Sequence, residues 1–139
     1  MKKHKKMEEI IKIKETYGCV NLSSKRHIND LICLLKLPNS NHITLDITGC
    51  FTDYDSTSML IDVILSHLDK MEGEKKLTVL CDDGYDNPFM YANLFLGSKF
   101  LNISDKFRLC KAEWDYLLNE LKKKRKIEIN IKIIQNANT

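Results

Sequence analysis

Apolar and polar residues alternate most strictly near the end of the chain, in Ile127-Glu128-Ile129-Asn130-Ile131-Lys132-Ile133, which predicts a strand with one apolar face. His42-Ile43-Thr44-Leu45-Asp46-Ile47 alternates too, and Leu77-Thr78-Val79-Leu80-Cys81 is nearly continuous in apolar residues, the pattern of an interior strand. Near the start, Ile10-Ile11-Lys12-Ile13-Lys14 reads as a strand, Tyr17-Gly18 as a turn and Cys19-Val20-Asn21-Leu22 as a returning strand. Phe100-Leu101-Asn102-Ile103 predicts one more short strand. Between these lie segments with helical spacing. Ile28, Leu31, Ile32 and Leu35 follow the N-cap hydroxyls Ser23 and Ser24, and Pro38 closes the segment. Met59, Leu60, Val63, Ile64 and Leu68 form the apolar stripe of a helix stopped by Gly73. Asn87-Pro88 opens a helix carried by Phe89, Ala92, Leu94, Phe95 and Leu96 to Gly97, and Lys111–Lys124 buries Trp114, Leu117, Leu118 and Leu121.

Strands alternating with helices predict an α/β domain with helices packed on a sheet, the segments Ile43–Ile47 and Leu77–Cys81 lying centrally. No linker or internal repeat divides the 139 residues, so the expected organisation is a basic arm over 1–8, one domain over 9–135 and a polar tail over 136–139. The apolar runs fall far short of the roughly 20 residues that cross a bilayer, and no apolar segment follows the basic N-terminus as in a secretory signal. The five cysteines are widely spaced without a C-x-x-C pair, which suits free thiols in a reducing cytoplasm better than a metal knuckle or a disulfide framework.

Net charge is +3 and uneven: four lysines fall within Met1–Lys6 and a second run is Lys122-Lys123-Lys124-Arg125-Lys126. Such runs can hold a nucleic-acid backbone, but they fit better a solvated arm and the end of a helix, where cations are favoured. No aromatic residue interleaves with them, so they offer no stacking platform for bases.

The stretch from Ile43 to Leu60 carries the most candidate chemistry. It reads as a buried strand, a polar loop and an exposed cluster of hydroxyls at a helix start, where free N–H groups and the helix dipole favour an anion. The same stretch resembles the central segment of STAS domains, the fold of bacterial anti-sigma-factor antagonists. Leu45-Asp46-Ile47-Thr48-Gly49 is similar to the family's strand end, Tyr54-Asp55-Ser56-Thr57-Ser58 to its helix entry, and Leu96–Asn102 to a segment of a divergent STAS-like group. Ser58 stands where the family has glycine, and the chain closes on a strand rather than a helix.

The resemblance implies a single STAS-like α/β domain with a mixed sheet of about five strands, helices packed on it and an extra C-terminal strand. It further implies a non-catalytic regulatory module that binds a protein partner through Asp53, Tyr54, Asp55, Ser56, Thr57 and Ser58. Ser56 takes the position of the phosphoacceptor, and the implied partner is a histidine-kinase-like ATPase or a sigma-regulating factor. From the residues alone, Asp55–Ser58 fits helix capping equally well. The alternative function is a small nucleotide-binding or nucleic-acid-processing protein using the same helix N-terminus.

Other candidates point to bland roles. Asp82, Asp83 and Asp86 could offer oxygens to a divalent ion but lack the spacing of a calcium loop. His4, His27, His42 and His67 are scattered away from cysteines and carboxylates at ligand spacing, and Leu96-Gly97-Ser98-Lys99 lacks the order of a phosphate loop. Neither a metal nor a cofactor is expected.

Overall fold

The computed structural model describes residues 8–84, 87–103 and 106–135, so the segment Met1–Lys6, Asp86 and the 136–139 tail lie outside the described residues. The elements run β1 (Glu8–Lys12), α1 (Ile13–Tyr17), β2 (Asn21–Leu22), α2 (Lys25–Leu34), β3 (His42–Asp46), β4 (Phe51–Thr52), α3 (Tyr54–Asp69) and β5 (Lys75–Asp82). A 3-10 helix (Pro88–Phe95), α4 (Lys111–Arg125) and β6 (Ile127–Ile134) complete the α/β domain. The principal sheet has four strands in the order β1-β3-β5-β6, and β2 with β4 makes a separate two-stranded ladder. As expected, β3 and β5 are central, and the closing strand β6 lies at the edge.

Three expectations change. Every pairing in both sheets is parallel, where strands of both directions were expected. The hairpin at Tyr17-Gly18 is instead the end of α1: Gly18, at φ 67°, caps it with its N–H on the Lys14 carbonyl, and β2 leaves to pair with β4. Phe100–Ile103 is a turn rather than a strand, with Asn102 at φ 59° and only the Ile103 side chain fully in the core.

Because the spatial order of the strands repeats their chain order, every crossover steps in the same direction. Right-handed crossovers then place all the helices on one face. The packing agrees: α2 lies on α3, α3 on the 3-10 helix, and that helix on α4. Ile11, Ile43, Leu45, Leu77, Val79, Ile127 and Ile129 point into this layer and are buried with Leu60, Ile61, Ile64, Leu65, Phe95 and Trp114. Trp114 packs on Phe95 with ring centroids 5.1 Å apart, a core anchor at the expected place. The opposite face carries His42, Thr44, Asp46, Lys76, Thr78 and Leu80 with Glu8, Ile10 and Lys132 at the margins. No described helix covers it. No helix among the described residues is long and apolar enough to cross a membrane.

Candidate functional site

Parallel strands deliver their following loops to one end of the sheet, where the candidate segment lies. At this end β3 finishes in Asp46, whose carboxylate accepts from the Thr48 N–H at 2.9 Å and the Thr48 hydroxyl at 2.6 Å. The turn so formed favours Gly49 for its backbone, while the Lys14 side chain over it is exposed and free to shift. The Gly49 φ is 79°, and a Cβ there would stand 2.9 Å from Cδ of Lys14. The Gly49 N–H donates to Asp82 at the end of β5 at 2.9 Å, so the second carboxylate of the edge is also engaged by backbone. A shallow hollow of about 310 Å³ between Lys12, Lys14, Glu15, Asp46 and Thr48 opens beside this turn.

From Gly49 the chain enters β4, fastened to the start of β2 by a 2.7 Å bond from the Phe51 N–H to the Val20 carbonyl. The two short strands form a ledge beyond the sheet end. Phe51 on β4 is 72% exposed, Tyr54 at the start of α3 46% and Val20 just before β2 42%. Phe51 and Val20 were not among the residues singled out from the sequence. Their signal is faint: Phe51 is an apolar residue in a polar loop, and Val20 reads as one more apolar position of a short strand.

The predicted binding segment 53–58 starts here, but its parts are arranged differently from expectation. Asp53, not Asp55 or Ser56, caps α3, accepting from the Ser56 N–H at 2.7 Å. The hydroxyls expected to be exposed are buried, Ser56 to 3% exposure, because each finds a carbonyl. Ser56 donates to the Ser23 carbonyl at 3.2 Å, Thr57 to Leu22 at 3.0 Å and Ser58 to Asp55 at 2.7 Å. The first two staple α3 to the chain between β2 and α2. Only Tyr54 and Asp55 of the segment are exposed, with Asp53 half-buried. Gly97, at φ 81°, approaches the same turn closely: a Cβ on it would meet Asp55 Oδ1 at 3.2 Å and Ser58 Oγ at 3.3 Å. The residue that permits the close approach here is thus Gly97, opposite Ser58.

Two thiols flank the turn. Burial, reinforced by the neighbouring Cys19, Asp82 and Asp46 and opposed by Lys14, pushes the Cys50 thiol up to about 11. Burial with Asp82 and Asp46 pushes Cys81 up to about 12. Both stay protonated near neutrality and are poor nucleophiles there.

The remaining candidates take structural places. Asp83 is exposed, away from any cluster of metal-ligating groups, and none occurs among the described residues. His67 Nε2 sits 2.9 Å from the Pro38 carbonyl, His42 lies 3.8 Å from Glu8 on the open sheet face, and His27 is exposed on α2. Ser98 and the Lys99 N–H bind the Asp62 carboxylate of α3, the latter at 2.7 Å, so Gly97-Ser98-Lys99 is a tied turn. Lys122–Lys126 is exposed at the end of α4, partly paired: Lys124 lies 3.0 Å from Glu120, and Arg125 lies 2.6 Å from Asp69 and over the Phe100 ring. Compared with known proteins, the chain matches no family model, no curated protein and no solved structure.

Proposed function

We propose that this chain is a non-catalytic regulatory module that binds a protein partner through the ledge of Val20, Phe51 and Tyr54, with Asp53 and Asp55 at its margin. The observation that carries it is Phe51, 72% exposed on a hydrogen-bonded ladder, with Tyr54 three residues on and Val20 across the ladder exposed as well. Apolar groups gathered at one place mark contact sites more often than scattered ones do. Each aromatic covered by a partner contributes about 1.5–3 kcal/mol. The acidic margin favours a basic rim on that partner. The STAS resemblance adds a class of partner, a histidine-kinase-like ATPase or a sigma-regulating factor.

Ser56 enters this reading as a latch. Its hydroxyl is spent on the Ser23 carbonyl, so a kinase must first lift the opening turn of α3. A phosphate there, about two negative charges beside Asp53 and Asp55, would keep the turn from closing and release the ledge. A phosphate ligand on the α3 N-terminus is less well supported, since Asp53 already fills the Ser56 N–H.

Affinity capture from the native host with wild type and the Phe51→Ser/Tyr54→Ser double variant tests the reading, with phosphosite mapping of the bait. The expected result is a discrete partner lost from the variant while its melting temperature is kept. Retention of every captured protein by the variant would overturn it.

A further inference from the structure

The last strand carries a surface that the ledge does not explain. β6 is the end strand of the principal sheet, paired only with β5 among the described residues, so one side of its backbone has no strand partner. Such an edge is a template for another strand. Its sequence is self-complementary. If two copies meet antiparallel about a two-fold axis at Asn130, Ile127 faces Ile133, Glu128 faces Lys132, Ile129 faces Ile131, and Asn130 faces itself. Directly opposed residues of an antiparallel pair project to the same side. The isoleucines of both copies therefore form one apolar row on the helix-covered face, and the charges alternate in sign on the other. Shifting the centre to Ile129 or Ile131 destroys the Glu128–Lys132 match, so the pattern specifies one register.

The structure leaves room for such a partner. Ile127 and Ile129 are buried, but Ile131 and Ile133 are only partly covered and Ile134 is 43% exposed. In the paired arrangement the half-open Ile131 and Ile133 lie against the other copy's Ile129 and Ile127. A groove of about 290 Å³ runs beside Ile129, Asn130 and Ile131, between the opening of the 3-10 helix and the first turns of α4. Lys132 has no ion-pair partner among the described residues, and Glu128 has only a distant one, Lys122 at 3.9 Å. The other edge, β1, is a poorer candidate, because the same operation about Ile10 sets Glu9 against Ile11.

We infer that β6 is the homodimer interface of this chain, joining two four-stranded sheets into one continuous sheet by antiparallel β6–β6 pairing centred on Asn130. The occupant is a second copy because the charge pattern complements itself. This inference is independent of what the ledge binds.

Sedimentation of the full chain at low salt tests it. Wild type should sediment at twice its 16.2 kDa mass at about 100 µM and dissociate on dilution. Glu128→Lys alone, or Lys132→Glu alone, opposes like charges twice per dimer and should weaken self-association about tenfold. An equimolar mixture of those two variants restores both opposite-charge pairs and should form heterodimers, as should the doubly exchanged chain with itself. Both positions are exposed, so thermal melts at a dilution where wild type is monomeric should match for all the variants. A wild-type monomer at about 100 µM, a dimer indifferent to the single reversals, or single variants that stay apart when mixed would each overturn the inference.

Discussion

The hydroxyls of Ser56 and Thr57 lie 3.2 Å and 3.0 Å from the carbonyls of Ser23 and Leu22, so two neighbouring side chains tie the first turn of α3 to a segment more than thirty residues earlier. That arrangement reverses the ordering expected of a capping serine. At an N-cap, Asp replaces Ser at little cost because its carboxylate accepts an N–H and complements the dipole. Ser56 instead donates to a carbonyl, and Asp53 already holds the cap. Ser56→Ala should therefore cost about 1–2 kcal/mol, the loss of one buried hydrogen bond. Ser56→Asp should cost more, since it sets a carboxylate against a carbonyl oxygen and beside a second acid in a buried place. Urea titration of the two variants checks the order, and an Asp variant as stable as wild type would refute this geometry. Binding measured with Ser56→Asp must in turn be compared at matched folded fraction, because the substitution acts on the turn as well as on the charge.

Asp62 extends the same logic to whole elements, because its carboxylate on α3 holds the turn after the 3-10 helix through Ser98 and the Lys99 N–H. Burial raises its pKa above 3.8, with hydrogen bonds from Ser98, Lys99 and Phe100 opposing the shift. A raised folded pKa means the native state holds the proton more tightly than the unfolded chain. Its contribution to stability is thus fully present below the unfolded value and is lost as pH rises through the folded one. Asn at this position still accepts from Lys99, and its amide can donate to a Ser98 hydroxyl that turns round. Asp62→Asn should cost less than about 1 kcal/mol and flatten the pH dependence in the acid range, whereas Asp62→Ala should cost about 1–3 kcal/mol. Melts at two pH values for both variants decide it; equal losses would mean that the charge itself holds the turn. Elements of this kind were unevenly legible in the sequence. β3, β5, β6, α3 and α4 announce themselves because one periodicity runs through each. α1 does not: Ile11 and Ile13 are both buried, as in a strand, yet the chain turns helical at Ile13 to leave the sheet, and Gly18 serves a helix end as readily as a turn. The burial of Ser56–Ser58 was out of reach, since the carbonyls that make it possible for Ser56 and Thr57 belong to residues 22 and 23.

At the scale of the whole molecule, the governing fact is that the principal sheet is wound in one direction. Purely parallel sheets are usually covered on both faces, which gives their strands continuous apolar sequences. Here the strands advance β1-β3-β5-β6 without reversal, and the face opposite the helices is mostly polar, with Leu80 and Ile10 among its residues. Thr44 donates to Glu8 there, while His42 Nε2 lies 3.5 Å from the Thr78 hydroxyl. Surface area alone hides this asymmetry, because central strands bury small side chains on either face: Thr78 is 3% exposed and its neighbour Val79 is 0% exposed. Register and topology separate them. Val79 stands between Leu45 and Ile131 beneath the helices, and Thr78 between Thr44 and Asn130 on the open face. Two substitutions of nearly equal volume should therefore behave oppositely. Val79→Thr places a hydroxyl in a layer that offers it no acceptor and should cost about 1–3 kcal/mol. Thr78→Val forfeits only a long contact to His42 and exchanges a hydroxyl for a methyl at a β-favouring position, so its cost should stay below about 0.5 kcal/mol. Equilibrium unfolding in urea measures both, with unchanged m-values showing that the native states stay comparable. Equal costs for the pair, or a larger one for Thr78→Val, would mean that the polar face is covered after all and that helices or chain termini pack on both sides of the sheet.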